Sequence, residues 1–64
     1  MIKLKIKELR EEKKISYRQL EILSNVSKAM ICDIEKGKRN PTIGTLEKIA
    51  KGLRVSIHDL IEEI

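Results

Sequence analysis

Apolar residues recur along this chain mostly at helical spacing. Ile2, Ile6 and Leu9 fall three or four residues apart among Glu8, Arg10, Glu11 and Glu12, which predicts a helix beginning near Lys5. The first five residues also alternate, Ile2 and Leu4 against Lys3 and Lys5, a pattern that fits a short strand as well. Ser16, followed three residues later by Gln19, forms a capping box. It opens a second helix that carries Leu20 and Leu23 inward to about Ser24. Asn25 tolerates the left-handed conformation needed to turn there. Ser27 caps a third helix of about residues 28–36, with Ile31 and Ile34 as a narrow apolar stripe and Gly37 as its stop. Lys38-Arg39-Asn40-Pro41 is a basic turn. Thr42 caps a fourth helix with Leu46, Ile49, Ala50 and Leu53 inward. Ser56 caps a fifth, with Asp59 at its third position and Ile57, Leu60, Ile61 and Ile64 on one stripe. Five short helices, four of them opened by Ser or Thr, predict a compact all-α fold and a single domain over residues 1–64.

Composition narrows the core and the chemistry. With 64 residues, the chain is near the lower size at which one core holds without staples. Tyr17 is its only aromatic residue, so Ile, Leu and Val must fill the interior. The single cysteine, Cys32, cannot form an internal disulfide, and without a second ligand it makes no zinc site. No apolar run approaches the roughly 20 residues that cross a bilayer. The alternating N-terminus also lacks the unbroken apolar stretch of a signal peptide. A cytoplasmic protein with no cofactor and no small-molecule ligand is the expectation. One His (His58), one Cys and no clustered carboxylates give no basis for an active site, which excludes the enzyme classes.

Charge placement changes the picture further. The net charge of +4 divides into +4 over residues 1–18, −2 over 19–35, +5 over 36–54 and −3 over 55–64. Two basic segments flank a nearly neutral middle, as suits a surface that grips a polyanion at its edges and reads something at its centre. The second and third predicted helices are joined by the short turn Ser24-Asn25-Val26-Ser27, with Val26 placed to plug the corner. This is a helix-turn-helix pattern, and its second helix has a stripe so narrow that its remaining face stays open. An open helix face fits the major groove of B-DNA, which presents a distinct pattern for each base pair.

These residues resemble the Cro and lambda-repressor class of helix-turn-helix domains, the XRE-like family. Ile6-Lys7-Glu8-Leu9-Arg10, Ile15-Ser16, Leu20, Asn25-Val26-Ser27, Ile31 and the run Ile34 to Pro41 carry the resemblance. Thr45-Leu46, Ile49-Ala50 and Val55-Ser56 extend it over about residues 5–61. The resemblance implies a five-helix lambda-repressor-like domain in which Lys28, Ala29 and Asp33 contact bases, with Cys32 at the periphery. It implies phosphate contacts from Ser16, Tyr17, Lys36, Lys38 and Arg39, and a buried ion pair between Arg10 and Glu35. Four residues depart from the family pattern. Tyr17 stands where Gln is frequent, Asn25 where Gly is usual, and Arg54 where Gly or Asn is frequent. Glu21 stands where a small residue, typically Ala, lets the two helices pack closely, so Glu21 must bend outward or find a partner.

The expected function is a DNA-binding transcriptional regulator of the repressor kind, acting on a palindromic operator in double-stranded DNA. The stripe Ile57, Leu60, Ile61 and Ile64 exceeds what so small a core needs, and it makes these residues candidates for a homodimer interface. A DNA-binding antitoxin or a protein-interaction module with the same fold is the alternative, with Ile22 as a further candidate contact.

Overall fold

The computed structural model describes residues 2–63. The chain runs through β1 (Ile2–Leu4), α1 (Ile6–Glu12), α2 (Tyr17–Ser24), α3 (Lys28–Glu35), α4 (Ile43–Leu53), α5 (Ile57–Leu60) and β2 (Ile61–Glu63). The five helices are those read from the sequence, and each of the four expected caps stands at its place. Ser16, Ser27 and Thr42 accept from the backbone N–H groups of Gln19, Met30 and Thr45. Ser56 and Asp59 form a second capping box beside that of Ser16 and Gln19.

The core takes side chains from every helix, four of them (Leu46, Ile49, Ala50 and Leu53) from α4 and one or two from each of the others. Ile6, Leu20, Ile31, Ile49, Leu53 and Leu60 are fully buried. Val26 is buried in the turn between α2 and α3, where it plugs the corner as expected. Helix α2 packs most extensively on α4. The two helices approach tightly at Gly52, where an added Cβ would lie 3.0 Å from the Ser24 Cβ and 3.1 Å from its backbone nitrogen.

Two expectations are corrected. Leu23 is 56% exposed rather than inward. The buried partner of Leu20 on α2 is Ser24, one full turn along, because Gly52 leaves room there for nothing larger. The Ser24 hydroxyl donates to the Leu20 carbonyl at 2.6 Å and accepts from the Val26 N–H at 3.2 Å, so its burial leaves no polar group unpaired. The second correction concerns the C-terminal stripe. Helix α5 ends at Leu60, and Ile61–Glu63 leaves it as a strand antiparallel to Ile2–Leu4, with Leu4 opposite Ile61. The Lys5 N–H donates to the Leu60 carbonyl at 2.7 Å and closes the helix. The alternating N-terminus is therefore a strand, and Ile61 does not continue a helical stripe.

Left-handed residues end the first four helices. Lys14, Asn25, Gly37 and Arg54 have φ of 57°, 60°, 75° and 58°. After α1, α3 and α4 the next residue reaches back into the helix: Ile15 to the Arg10 carbonyl, Lys38 to Asp33, Val55 to Ala50. These are paired 6→1 and 5→2 Schellman bonds. Only one of the four positions is glycine.

Two substitutions near the end of α4 should therefore act in opposite directions. Gly52→Ala gains helix propensity but drives its methyl into the Ser24 backbone, for a net loss of about 1–2 kcal/mol. Arg54→Gly relieves a left-handed side chain and should gain about 0.5–1 kcal/mol. Urea unfolding of both variants beside the parent chain measures each sign.

Candidate nucleic-acid interface

Helix α3 buries only one side. Ile31 and Ile34 face the core, and Met30 and Glu35 flank them half-buried. At the angular step of an α-helix, Lys28, Cys32, Lys36, Ala29 and Asp33 fall in one arc of about 140° on the opposite side. Lys28, Ala29 and Lys36 are exposed there, and Cys32 and Asp33 are half-buried. The four residues expected to contact bases thus share one open face.

The basic turn follows directly. The Gly37 N–H reaches the Ile34 carbonyl at 3.1 Å and the Lys38 N–H reaches Asp33 at 2.8 Å. These bonds fold the backbone of residues 37–38 back against the end of α3. The Arg39 guanidinium lies 3.7 Å from the Met30 sulfur, which draws it against the same helix. Lys36, Lys38 and Arg39 are all exposed.

The C-terminal end of α3 is fixed by a carboxylate. Glu35 has a side chain only 3% exposed. Its Oε2 accepts from the Arg10 Nε at 3.2 Å and its Oε1 accepts from the Tyr17 hydroxyl at 3.0 Å. Arg10 also donates through Nη1 to the Ile15 carbonyl at 3.0 Å, and its guanidinium lies 4.0 Å from the centre of the Tyr17 ring. Burial pulls the Arg10 pKa down, but the hydrogen bond and charge of Glu35 outweigh it and hold the guanidinium above its ordinary value. The hydrogen bond to Glu35, with burial and that same negative charge, pushes the Tyr17 phenol above 10.0. The Arg10–Glu35 pair implied by the family resemblance is present.

Two of the expected phosphate ligands have their hydroxyls engaged elsewhere. The Ser16 hydroxyl caps the Gln19 N–H at 3.1 Å, and that of Tyr17 is committed to Glu35. Among the dimer candidates, Leu60 is fully buried in its own chain's core. Ile57 and Ile61 are half-buried, and Ile64 lies outside the described residues. Ile57 also lines a groove of about 470 Å³ with Gly44, Lys48, Lys51 and Val55. Ile22 is 71% exposed, beside Ile15, Gln19 and Leu23.

The sequence reading missed one contact at the other end of α3. Glu21 does find a partner: its Oε2 accepts from the Lys28 N–H at 2.9 Å, seven residues along the chain. No capping signature spans that distance. The departure from a small residue at this position was the only available signal. Among the described residues, no cluster of three metal-ligating side chains occurs, and no helix is long and apolar enough to cross a membrane.

Removing one member of the buried clamp should cost more than any exposed change. Glu35→Ala strands the Arg10 charge and should lose about 3–5 kcal/mol. Tyr17→Phe keeps the ring over Arg10 and loses only the hydroxyl bond, about 1–2 kcal/mol. Because the folded-state phenol titrates above its ordinary 10.0, its contribution is full below that pH and is lost as pH rises through the raised value. Denaturant unfolding from neutral to strongly alkaline pH should show this loss in the parent chain and not in Tyr17→Phe.

Comparison with known proteins gives this geometry its context. Residues 6–60 match the helix-turn-helix family. The chain is 39% identical over 64 residues to the HTH-type transcriptional regulator SinR of Bacillus subtilis, covering 98% of this chain and 58% of SinR. It is 34% identical over 59 residues to the immunity repressor protein of Bacillus phage phi105, covering 92% of this chain and 41% of that one. It therefore spans less than two thirds of either relative. Among solved structures, the restriction-modification controller protein C.AhdI of Aeromonas hydrophila superposes with a TM-score of 0.83 at 27% identity, over 86% of this chain and 83% of that one. The wild-type controller protein C.Esp1396I matches at 45% identity with a TM-score of 0.76, over 80% and 65%. With its open third helix, its plugged corner and a family match across nearly all of its length, the chain belongs to the helix-turn-helix family of the XRE-like, lambda-repressor kind.

Proposed function

We propose that this chain binds double-stranded DNA sequence-specifically, as a homodimer with α3 in successive major grooves, and acts as a transcriptional repressor. The observation that carries the reading is the open arc of α3, followed at once by a basic turn bonded back onto the same helix. Such an element offers base contacts along its face and phosphate contacts at its end. Lys28 reaches O6 or N7 of a guanine, Ala29 meets a thymine methyl and Asp33 accepts from a cytosine N4. Cys32 touches the groove's edge. Lys36, Lys38 and Arg39 hold phosphates. At the start of α2, where the Ser16 and Tyr17 hydroxyls are engaged, phosphate contact falls to the first-turn N–H groups of Tyr17 and Arg18.

The dimer would form along the groove between α4 and α5, with Ile57 and Ile61 as its apolar contacts. Two copies would then set their α3 helices about 34 Å apart, one turn of DNA, and match a palindromic site. A dimer on promoter DNA of the cytoplasm excludes other proteins by competition, and two of the relatives are named as repressors. The exposed pair Ile22 and Leu23 favours a second reading, an antitoxin-like or interaction module that docks a protein there.

Selection from a random DNA pool should return a palindromic consensus, and no enrichment would favour the interaction module. On that consensus, Lys28→Ala should cost about 1–3 kcal/mol and relax preference at one position. Lys38→Ala or Arg39→Ala should weaken all sequences alike and lower the salt slope by about 1. A uniform loss from Lys28→Ala would contradict its role.

A further inference from the structure

We propose that Glu21 is a specificity-determining residue, an internal anion at the start of the reading helix that weakens the hold on DNA of the wrong sequence. This rests on the DNA-binding reading above. The carboxylate is fixed against the end of α3 that leads into the groove: its Oε2 accepts from the N–H of Lys28, the first residue of the helix. A helix N-terminus carries positive partial charge and unpaired N–H donors, which attract phosphate. Here Glu21 takes the Lys28 N–H, and Ser27 takes that of Met30 at 3.2 Å. A phosphate arriving at this end meets a resident negative charge where the Lys28 N–H would otherwise be a donor.

Among the described residues no side-chain cation pairs with that charge, unlike that of the carboxylate at the other end of α3. Glu35 is neutralised by Arg10 at 3.2 Å. The bond of Glu21 is to a neutral backbone group, which satisfies an oxygen and leaves the charge standing. Non-specific binding is almost wholly electrostatic, so it bears the repulsion in full. In the specific complex the start of α3 is held by base edges. There the same carboxylate keeps the Lys28 N–H paired as water leaves, so that no donor is buried alone.

The test separates charge from hydrogen bond. Glu21→Gln keeps an acceptor for Lys28 and removes the charge, whereas Glu21→Ala removes both. Each variant and the parent chain are titrated, over a series of salt concentrations, with the selected consensus duplex and with a scrambled duplex of equal length. Thermal melting checks that each variant folds. Glu21→Gln should bind scrambled DNA about three- to tenfold tighter, with a salt slope steeper by about 1, while consensus affinity changes less than about twofold. Glu21→Ala should gain similarly on scrambled DNA and lose affinity for the consensus. Unchanged scrambled binding by Glu21→Gln overturns the proposal, as does an equal gain on both duplexes. A loss on the consensus alone would make Glu21 a base reader instead. A parent chain that binds neither duplex overturns the DNA-binding reading, and this proposal with it.

Discussion

The carboxylate of Glu35 is the point on which the arrangement of the first three helices depends. A buried charge is tolerated only when its oxygens are paired, and here each oxygen is taken by a different helix. Arg10 approaches from α1 and Tyr17 from α2. Arg10 also holds the Ile15 carbonyl, which fixes the chain just before α2 begins. The direction in which α3 leaves the body is therefore set by polar geometry as much as by apolar packing. Such a device is needed because α3 contributes only Ile31 and Ile34 to the core. Two buried aliphatic side chains supply only about 3–6 kcal/mol, less than the cost of ordering eight residues of chain. A helix that leaves most of its surface outside the core has to be held at its ends. Glu35 holds one end, and Ser27 with Glu21 holds the other.

The same economy of apolar surface explains the turns. Five helices in so short a chain leave few residues for loops, so each reversal is made at the helix terminus itself. The bonds that close these reversals pair the last carbonyls of one helix with the first N–H groups beyond it, which leaves the linking backbone satisfied. Lys14 and Arg54 accept left-handed strain in place of glycine. Each is exposed, so its side chain meets no obstruction there, and each adds positive charge to the segments that flank the reading helix.

Much of this was legible in the sequence because it is local. Caps at Ser16, Ser27, Thr42 and Ser56 act within three residues, the range over which a side chain signals a helix start. The open face of α3 was legible because two isoleucines three residues apart define a stripe and leave the rest by default. What was not legible depends on contacts between distant residues. Leu23 and Ser24 exchange expected places because Gly52, far along the chain, comes too close for anything larger than Ser24. Ile61 has the spacing of a helical stripe, but Leu60 finds its carbonyl bonded to Lys5 and the helix stops. The Tyr17 hydroxyl lies toward Glu35, eighteen residues away, a direction that no pattern around Tyr17 encodes. The clamp itself was reached through family resemblance, since neither Arg10 nor Glu35 differs locally from a solvated charge.

A reading helix of this size faces a limit on discrimination. The open arc holds five side chains, and Lys36 at its end is better placed for phosphate than for bases. Three or four contacts at about 1–3 kcal/mol each approach, without comfortably exceeding, the roughly 4–10 kcal/mol by which specific binding outweighs non-specific binding. There are two ways to widen that gap. One is to repeat the contacts, which a symmetric pair of chains does without lengthening either. The other is to weaken the reference state, since a ratio grows as much from a lower denominator as from a higher numerator. On the proposed reading, the basic flanks would raise affinity for any duplex and so work against discrimination. On the proposed reading, a carboxylate bonded to the first N–H of α3 would oppose them where the helix meets DNA, at the position where the family usually keeps a small neutral residue. On this view the acidic middle of the chain is a counterweight to its basic flanks, and specificity arises from the balance between them.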